Sequence, residues 1–154
     1  MKRNIPLIFY GLISAFSFAP TYLIFLGIIG FGLFFERLLE SQNRKQAFMV
    51  GFLFGFGHFI VGFYWISISL FVDIGRYFWL LPFSISLIPA AAALYIGTAC
   101  WLFHFLKEKF AISGFGQVIL MAICWLVIEI ARSYLFLPFP WNLIGYIFAF
   151  DDNF

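Results

Sequence analysis

The charged residues of this sequence are spaced so that they leave long apolar runs between them. Runs without Asp, Glu, Lys or Arg cover residues 5–35, 47–72 and 77–106, and a fourth run over 117–137 carries only one acid and one base. A helix that crosses a bilayer needs about 20 apolar residues at 1.5 Å rise each. The first run has 31 residues, which is about 46 Å as one helix, so we expect Pro20 to divide it into two short helices.

This pattern predicts an all-α fold, a polytopic transmembrane helical bundle of about five helices whose first two form a short hairpin broken at Pro20. We expect a single transmembrane domain over residues 1–154, with segments at about 5–19, 21–35, 47–72, 77–106 and 117–137 and an aromatic segment at 138–150 on the outer face. The same runs also allow four spanning helices plus a re-entrant hairpin.

The N-terminus also has features of a secretory signal peptide. Lys2 and Arg3 precede an apolar stretch that ends in the small-x-small pattern Ser17-Phe18-Ala19. Cleavage there would leave a chain that begins at Pro20 and at once enters another apolar segment. That arrangement is typical of a membrane hairpin, so we expect the hairpin to remain uncleaved.

The composition is that of a membrane protein. Of the 154 residues, 64% are hydrophobic, 24% are aromatic and only 10% are charged, against about 25% charged in an ordinary soluble domain. Too few polar side chains remain to cover a water-soluble globule, and the charge or heptad signatures of disordered chains and coiled coils are absent. The net charge of +2 comes from scattered residues without a basic stripe, so we expect no nucleic-acid partner.

Basic residues fall mostly on one side of the predicted topology. Lys and Arg favour cytoplasmic connections, and with the N-terminus inside, the cytoplasmic set is Lys2, Arg3, Arg37, Arg44, Lys45, Lys107 and Lys109. Arg76 lies in an outer connection, while Arg132, near the outer end of the fifth segment, can reach the headgroups. We therefore expect a multi-pass protein with its N-terminus in the cytoplasm and its C-terminus outside.

Small residues and one histidine form a stripe on the third segment. Three- and four-residue spacing places six residues on one helix face, namely Gly51, Gly55, His58, Gly62, Trp65 and Ser69. The glycines predict the close approach of another helix. His58 would then be a hydrogen-bonded residue in that helix contact, and the alternative interpretation is a proton carrier or a metal ligand.

The residues that commonly bind metals are dispersed along the chain. His104 lies close to the inner edge of its segment, whereas His58 lies deep in its own, so the two do not face each other. Cys100 and Cys124 each stand alone in an apolar run, which excludes a CxxC motif and predicts that they are small apolar packing residues. We expect no metal site and no cofactor.

Two opposite charges lie inside the fifth segment. Glu129 and Arg132 are three residues apart, so they share a helix face and can pair. Ionisable groups inside a membrane are functional candidates, and the alternative is a structural ion pair that fixes helix packing. A small transporter would need a longer chain of such groups, and only His58 joins them at this depth.

An aromatic segment with two prolines follows the last predicted helix, with the sequence Pro138-Phe139-Pro140-Trp141-Asn142-Leu143-Ile144-Gly145-Tyr146. The prolines stop the helix and favour an extended backbone. Trp141 and Tyr146 have amphipathic rings that favour headgroup depth, and Asn142 adds hydrogen-bonding capacity. The segment could form a lipid-contacting ledge, or an aromatic belt with a turn.

Several of these stretches resemble bacterial apolipoprotein N-acyltransferases. Trp125-Leu126-Val127-Ile128-Glu129-Ile130-Ala131-Arg132, followed by Phe139-Pro140-Trp141-Asn142-Leu143-Ile144-Gly145-Tyr146, is similar to the corresponding stretch of that family. The run from Gly51 to Leu70, with Phe63-Tyr64-Trp65-Ile66-Ser67, and the early Phe18-Ala19-Pro20 are similar to its earlier membrane segments. The segments also occur in the same order.

The resemblance implies an acyltransferase of the bacterial cytoplasmic (inner) membrane that acts in lipoprotein biosynthesis. The family moves an acyl chain from a phospholipid to the amino group of the S-diacylglyceryl cysteine at a lipoprotein's N-terminus. The implied partners are therefore phospholipid, the lipoprotein substrate and membrane lipids. The implied lipid-binding residues are Pro140, Trp141, Asn142, Tyr146, Tyr64 and Trp65.

The family's catalytic Glu, Lys and Cys belong to a nitrilase-like domain, where the Cys forms a thioester intermediate. This sequence stops at Phe154 before such a domain, and Cys100 and Cys124 match no part of the triad. We therefore expect no catalytic residue here, and a truncated or split form that is inactive alone, with a separately encoded nitrilase-like domain as a partner of a split form. The alternative is a non-enzymatic small integral membrane protein for lipid binding or assembly.

Overall fold

The computed structural model describes residues 5–134 and 141–148, and helices account for the regular structure of these ranges. The α-helices are α1 Ile5–Ala15, α2 Ile24–Leu39, α3 Arg44–Gly62, α4 Tyr64–Ser69, α5 Ile74–Tyr77, α6 Leu81–Lys109 and α7 Phe115–Tyr134. Short 3₁₀ helices cover Leu70–Asp73, Phe78–Leu80 and Ile144–Phe148. The prediction of an all-α helical bundle is confirmed.

Polar residues define where α3 begins. The Asn43 side chain accepts a hydrogen bond from the Gln46 N–H at 2.9 Å, and the Gln46 side chain accepts one from the Gln42 N–H at 3.0 Å. Together these bonds satisfy backbone donors that would otherwise be unpaired at the first turn. The short polar connection after α2 therefore folds the chain back sharply.

The apolar run after Gln46 does not form one helix. α3 ends at Gly62, and Phe63, with φ −110° and ψ 10°, separates it from α4. Gly51, Gly55 and His58 therefore lie on one helix, α3, as the stripe requires. Trp65 and Ser69 lie on α4 and are not part of the stripe. No proline or charge marks this break in the sequence, which is why periodicity alone did not find it.

Glycines set the distances between neighbouring helices. A Cβ on Gly51 would lie 2.5 Å from the Cys100 sulfur, and one on Gly55 would lie 3.1 Å from Ile96, so these glycines admit α6 to close contact with α3. The predicted helix approach is confirmed, and Cys100, which is completely buried, acts as a small packing residue. On the other side, Gly11 of α1 lies directly against the backbone of α3.

Three helical stretches within the described residues are long and apolar enough to cross a membrane. They are Arg44–Gly62, Tyr64–Lys109 and Phe115–Tyr134. Large apolar side chains project from the outside of the bundle, with Val72 90% and Phe115 75% exposed. Such surfaces are unfavourable in water and favourable among acyl chains, so the chain is a membrane protein.

Candidate functional site

The side chain of His58, on α3, is held in a defined orientation against α1. Its ring is 2% exposed, and its Nδ1 lies 2.9 Å from the Ser14 hydroxyl. The Ser14 hydroxyl donates its own hydrogen to the Gly11 carbonyl at 2.7 Å, so it accepts the hydrogen of His58 Nδ1. Phe18 and Phe59 pack edge-on against the imidazole. This geometry favours the interpretation of His58 as a hydrogen-bonded residue in a helix contact.

The ionisable residues singled out by the sequence meet at one small cavity of about 20 Å³. Its polar wall contains His58 from α3, Glu129 and Arg132 from α7, and Asn142 from the segment that precedes the last 3₁₀ helix. Tyr95 of α6 and apolar side chains of α3, α6 and α7 form the remainder. The sequence predicted that Glu129 and Arg132 share a face, and the fold shows which residues of other elements this face meets.

Glu129 and Arg132 each contact a residue of another element of the fold. A carboxylate oxygen of Glu129 accepts a hydrogen bond from the Ile144 N–H at 2.8 Å. The Arg132 guanidinium lies 5.1 Å from the centre of the Phe59 ring, a cation–π distance. Glu129 thus ties the 144–148 segment to α7, and Arg132 ties α7 to α3. Direct pairing of Glu129 with Arg132 stays a prediction.

Two tryptophans from distant parts of the sequence form an exposed aromatic pair. The ring centres of Trp65 on α4 and Trp141 lie 5.3 Å apart, and the side chains are 37% and 43% exposed. We call this pair the tryptophan ledge. Tyr64, beside Trp65, and Tyr146, in the last 3₁₀ helix, are likewise about half exposed.

Asn142 connects the tryptophan ledge to the cavity. Its backbone has a positive φ of 52°, a conformation that asparagine tolerates better than most residues. Its side-chain nitrogen lies against Gly62, where any side chain would collide with it. The end of α3 therefore receives the segment that carries Trp141. Pro140, the remaining lipid-binding residue implied by resemblance, lies outside the described residues.

Trp125 on α7 is a site residue that the sequence reasoning missed. Its ring lines the cavity and also an apolar groove of about 270 Å³ between α2 and α7, whose other walls include Phe31, Phe34 and Met121. Its indole N–H is buried and has no hydrogen-bond partner within the part of the chain that the structure describes. Trp125 was recognised only as part of a family-like run, because nothing in its spacing distinguishes it from a core aromatic.

The two thiols lie inside the helix packing. Cys100 is 0% and Cys124 is 1% exposed. Their positions agree with the prediction that they are apolar packing residues. Neither thiol lines the cavity or the groove described above.

Comparison with known proteins gives a consistent result. Residues 10–152 match the family described as the apolipoprotein N-acyltransferase N-terminal domain. The apolipoprotein N-acyltransferases of Rickettsia typhi, Rickettsia bellii and Rickettsia prowazekii are 37%, 34% and 36% identical to this chain over 151 residues. Each alignment covers 98% of this chain and 29% of the relative. The chain therefore spans less than a third of the length of these curated relatives.

Proposed function

This chain belongs to the apolipoprotein N-acyltransferase N-terminal domain family, and we propose that it is the membrane-embedded portion of an apolipoprotein N-acyltransferase-like protein of the bacterial cytoplasmic membrane. In this role it holds phospholipid for acyl transfer to the N-terminus of a lipoprotein. The observation that carries the proposal is that Trp65 and Trp141, taken from the two most family-like stretches, form one exposed pair.

The tryptophan ledge has the properties of a lipid contact. Indole rings are apolar over most of their surface and carry one N–H, so they favour the boundary between acyl chains and headgroups. The pair is anchored on the bundle side, because Asn142 packs on Gly62 and Glu129 holds the Ile144 backbone. A rigid aromatic surface loses little conformational entropy when a lipid binds to it.

The chemical step requires groups that the described part of the chain does not offer. Thioester chemistry needs a thiolate beside a base, in a place that the substrate can reach. Cys100 and Cys124 are buried among apolar side chains, out of contact with a substrate. The proposed division of labour assigns lipid binding to this chain and nucleophilic catalysis to a nitrilase-like domain, which in a split form is a separate partner.

Phospholipid retention by the purified chain tests this function. Replacing Trp141 by alanine (Trp141→Ala) is expected to lower the amount of bound phospholipid by about fivefold, because loss of an aromatic anchor costs roughly 1 kcal/mol. Native mass spectrometry of protein extracted in mild detergent measures the bound lipid directly.

Trp79→Ala is the matched control for phospholipid retention. Trp79 is 64% exposed and packs edge-on against Phe83, so its loss removes an exposed indole and leaves both tryptophans of the ledge in place. The control variant should keep the lipid content of the unsubstituted chain. Equal losses in both variants would show nonspecific lipid contact and would contradict the assignment of the ledge.

The proposed topology places the N-terminus in the cytoplasm and the C-terminal aromatic segment outside. Arg44, at the start of α3, lies 3.6 Å from Glu108, near the end of α6, and the Ser41 carbonyl lies 3.0 Å from His104. These contacts bring the 40–43 and 110–114 connections to one end of the bundle. Lys45, Lys107 and Lys109 are at this same end, which supports a cytoplasmic assignment.

Cysteine labelling with a membrane-impermeant maleimide tests the topology. Gln42 is exposed in the proposed cytoplasmic connection, and Gly75 is exposed in the short helix α5 of the proposed outer connection. In intact cells Gly75→Cys should be labelled, and Gln42→Cys should be labelled only after the membrane is opened. The unsubstituted chain, with both thiols buried, gives the background. Labelling of Gln42→Cys in intact cells would overturn the orientation.

A further inference from the structure

The wall of the cavity between α3, α6 and α7 contains buried hydrogen-bond donors. Among the described residues 5–134 and 141–148, the indole nitrogen of Trp125 and the side-chain nitrogen of Asn142 have no hydrogen-bond partner, and both residues form part of the cavity wall. Arg132 contributes a guanidinium, itself only 6% exposed. Buried polar groups in proteins are almost always hydrogen-bonded to protein or to an ordered water. The wall therefore requires an acceptor.

The same wall also supplies acceptors. His58 donates its Nδ1 hydrogen to Ser14, so the neutral ring has its free lone pair on Nε2. A positive charge on His58 would be unfavourable beside the positive charge of the buried Arg132 guanidinium, so the neutral imidazole is favoured. The Glu129 carboxylate uses one oxygen for the Ile144 N–H and retains further lone pairs. A group that completes this cavity must both donate and accept.

The size of the cavity limits what can occupy it. A volume of about 20 Å³ is sufficient for a water molecule, which needs about 10–15 Å³. A phosphate group is larger and accepts hydrogen bonds only, so it would oppose the Glu129 carboxylate and the lone pair of His58. An apolar group would leave the donors of Trp125 and Asn142 without partners.

We propose that this cavity binds a single ordered water molecule, which accepts hydrogen bonds from Trp125 and Asn142 and donates hydrogen bonds to His58 on α3 and Glu129 on α7. A water has two hydrogens for the acceptors and two lone pairs for the donors, so it matches both halves of the wall. It links Asn142 to the bundle and thereby holds the adjacent Trp141 in register with Trp65. The proposal stands on the cavity itself and is independent of the acyltransferase role.

Magnetisation transfer from water to indole protons tests the proposal. The full chain, labelled with ¹⁵N-tryptophan, is reconstituted in phospholipid bilayers and examined by solid-state NMR. Trp125→Phe identifies the Trp125 signal by removing it. The Trp125 indole proton is expected to receive magnetisation from water although its nitrogen is buried. The exposed rings of Trp65 and Trp141 serve as positive controls.

A variant that fills the cavity locates the water. Ala99 lines the cavity and is 1% exposed, so Ala99→Val should displace the water and abolish the transfer to Trp125. Ala99→Cys, whose side chain behaves as a small hydrophobic group, should have the same effect with less steric demand and replaces the valine variant if that variant fails to fold. Ala91→Val, on the same helix and not in the cavity wall, should leave the transfer unchanged.

Three results would overturn the proposal. The first is a Trp125 indole proton without transfer in the unsubstituted chain, which would show a dry cavity. The second is transfer that persists in the folded Ala99 variants, which would show water arriving from the groove side of Trp125. The third is a ³¹P contact to the Trp125 indole, which would show a lipid phosphate in the cavity.

Discussion

Replacing Gly11 by alanine (Gly11→Ala) is expected to lower the thermal unfolding midpoint in detergent by roughly 5–10 °C. A Cβ at this position would collide with the Phe54 carbonyl oxygen and lie 2.7 Å from the His58 backbone nitrogen. Backbone atoms inside a helix cannot rotate away, so α1 and α3 would have to separate. Separation would also stretch the hydrogen bond between Ser14 and His58, which lies one turn further along α1.

Gly32→Ala is the matched control for this substitution. Gly32 is a mid-helix glycine of α2, and a Cβ there would have nothing within 4 Å. Alanine is the better helix former by about 1 kcal/mol, so the control should leave the midpoint unchanged or raise it. A midpoint that falls in Gly11→Ala and does not fall in Gly32→Ala would identify the contact between α1 and α3 as the cause. A Gly11→Ala midpoint equal to that of Gly32→Ala would contradict the close packing of α1 on α3.

Much of the architecture could be predicted from the sequence because a membrane imposes strong patterns. Uncharged runs of 20 or more residues reflect the cost of placing charges in the bilayer. Small residues at helical spacing reflect the close packing of helices, and basic residues in connections reflect the preference of Lys and Arg for the cytoplasmic side. The all-α bundle and the close approach of another helix to Gly51 and Gly55 followed from these patterns, and the structure identifies that helix as α6. Cys100 was predicted to be a small packing residue because it stands alone in an apolar run, and in the structure it packs opposite Gly51.

The arrangement of the polar site could not be predicted, since spacing along one helix does not specify which other helix its face meets. Glu129 and Arg132 were recognised as partners on one face, but their contacts with Ile144 and Phe59 depend on where the last segment and α3 come to lie. His58 was assigned to a helix contact without its partner, because Ser14 is 44 residues away in the sequence.

The break at Phe63 shows the same limit at the level of secondary structure. Gly62 is a helix breaker of moderate strength, and the run around it is apolar on both sides, so the pattern favoured one long helix. In the fold, Gly62 receives the Asn142 side chain, and the turn after it allows Trp65 to meet Trp141. The tertiary contact, and not local propensity, explains the position of the break.

The 154-residue chain alone is expected to transfer no acyl group above background. Attack on a phospholipid ester requires an activated nucleophile within reach of the ester carbon. Both thiols are buried among apolar side chains, and the polar cavity, at about 20 Å³, is too small to admit an ester and its leaving group. We therefore expect phospholipid that binds at the proposed tryptophan ledge to remain unreacted.

An acyl-transfer assay tests the central claim most directly. Purified chain, with phospholipid and a diacylated lipopeptide, is compared with its Cys100→Ala/Cys124→Ala variant and with a chimaera in which this chain replaces the matching 151 residues of the Rickettsia typhi apolipoprotein N-acyltransferase. We expect N-acylated lipopeptide from the chimaera and none from the chain alone. Turnover by the chain alone that disappears in the double variant, or a stably inserted chimaera without activity, would contradict the central claim.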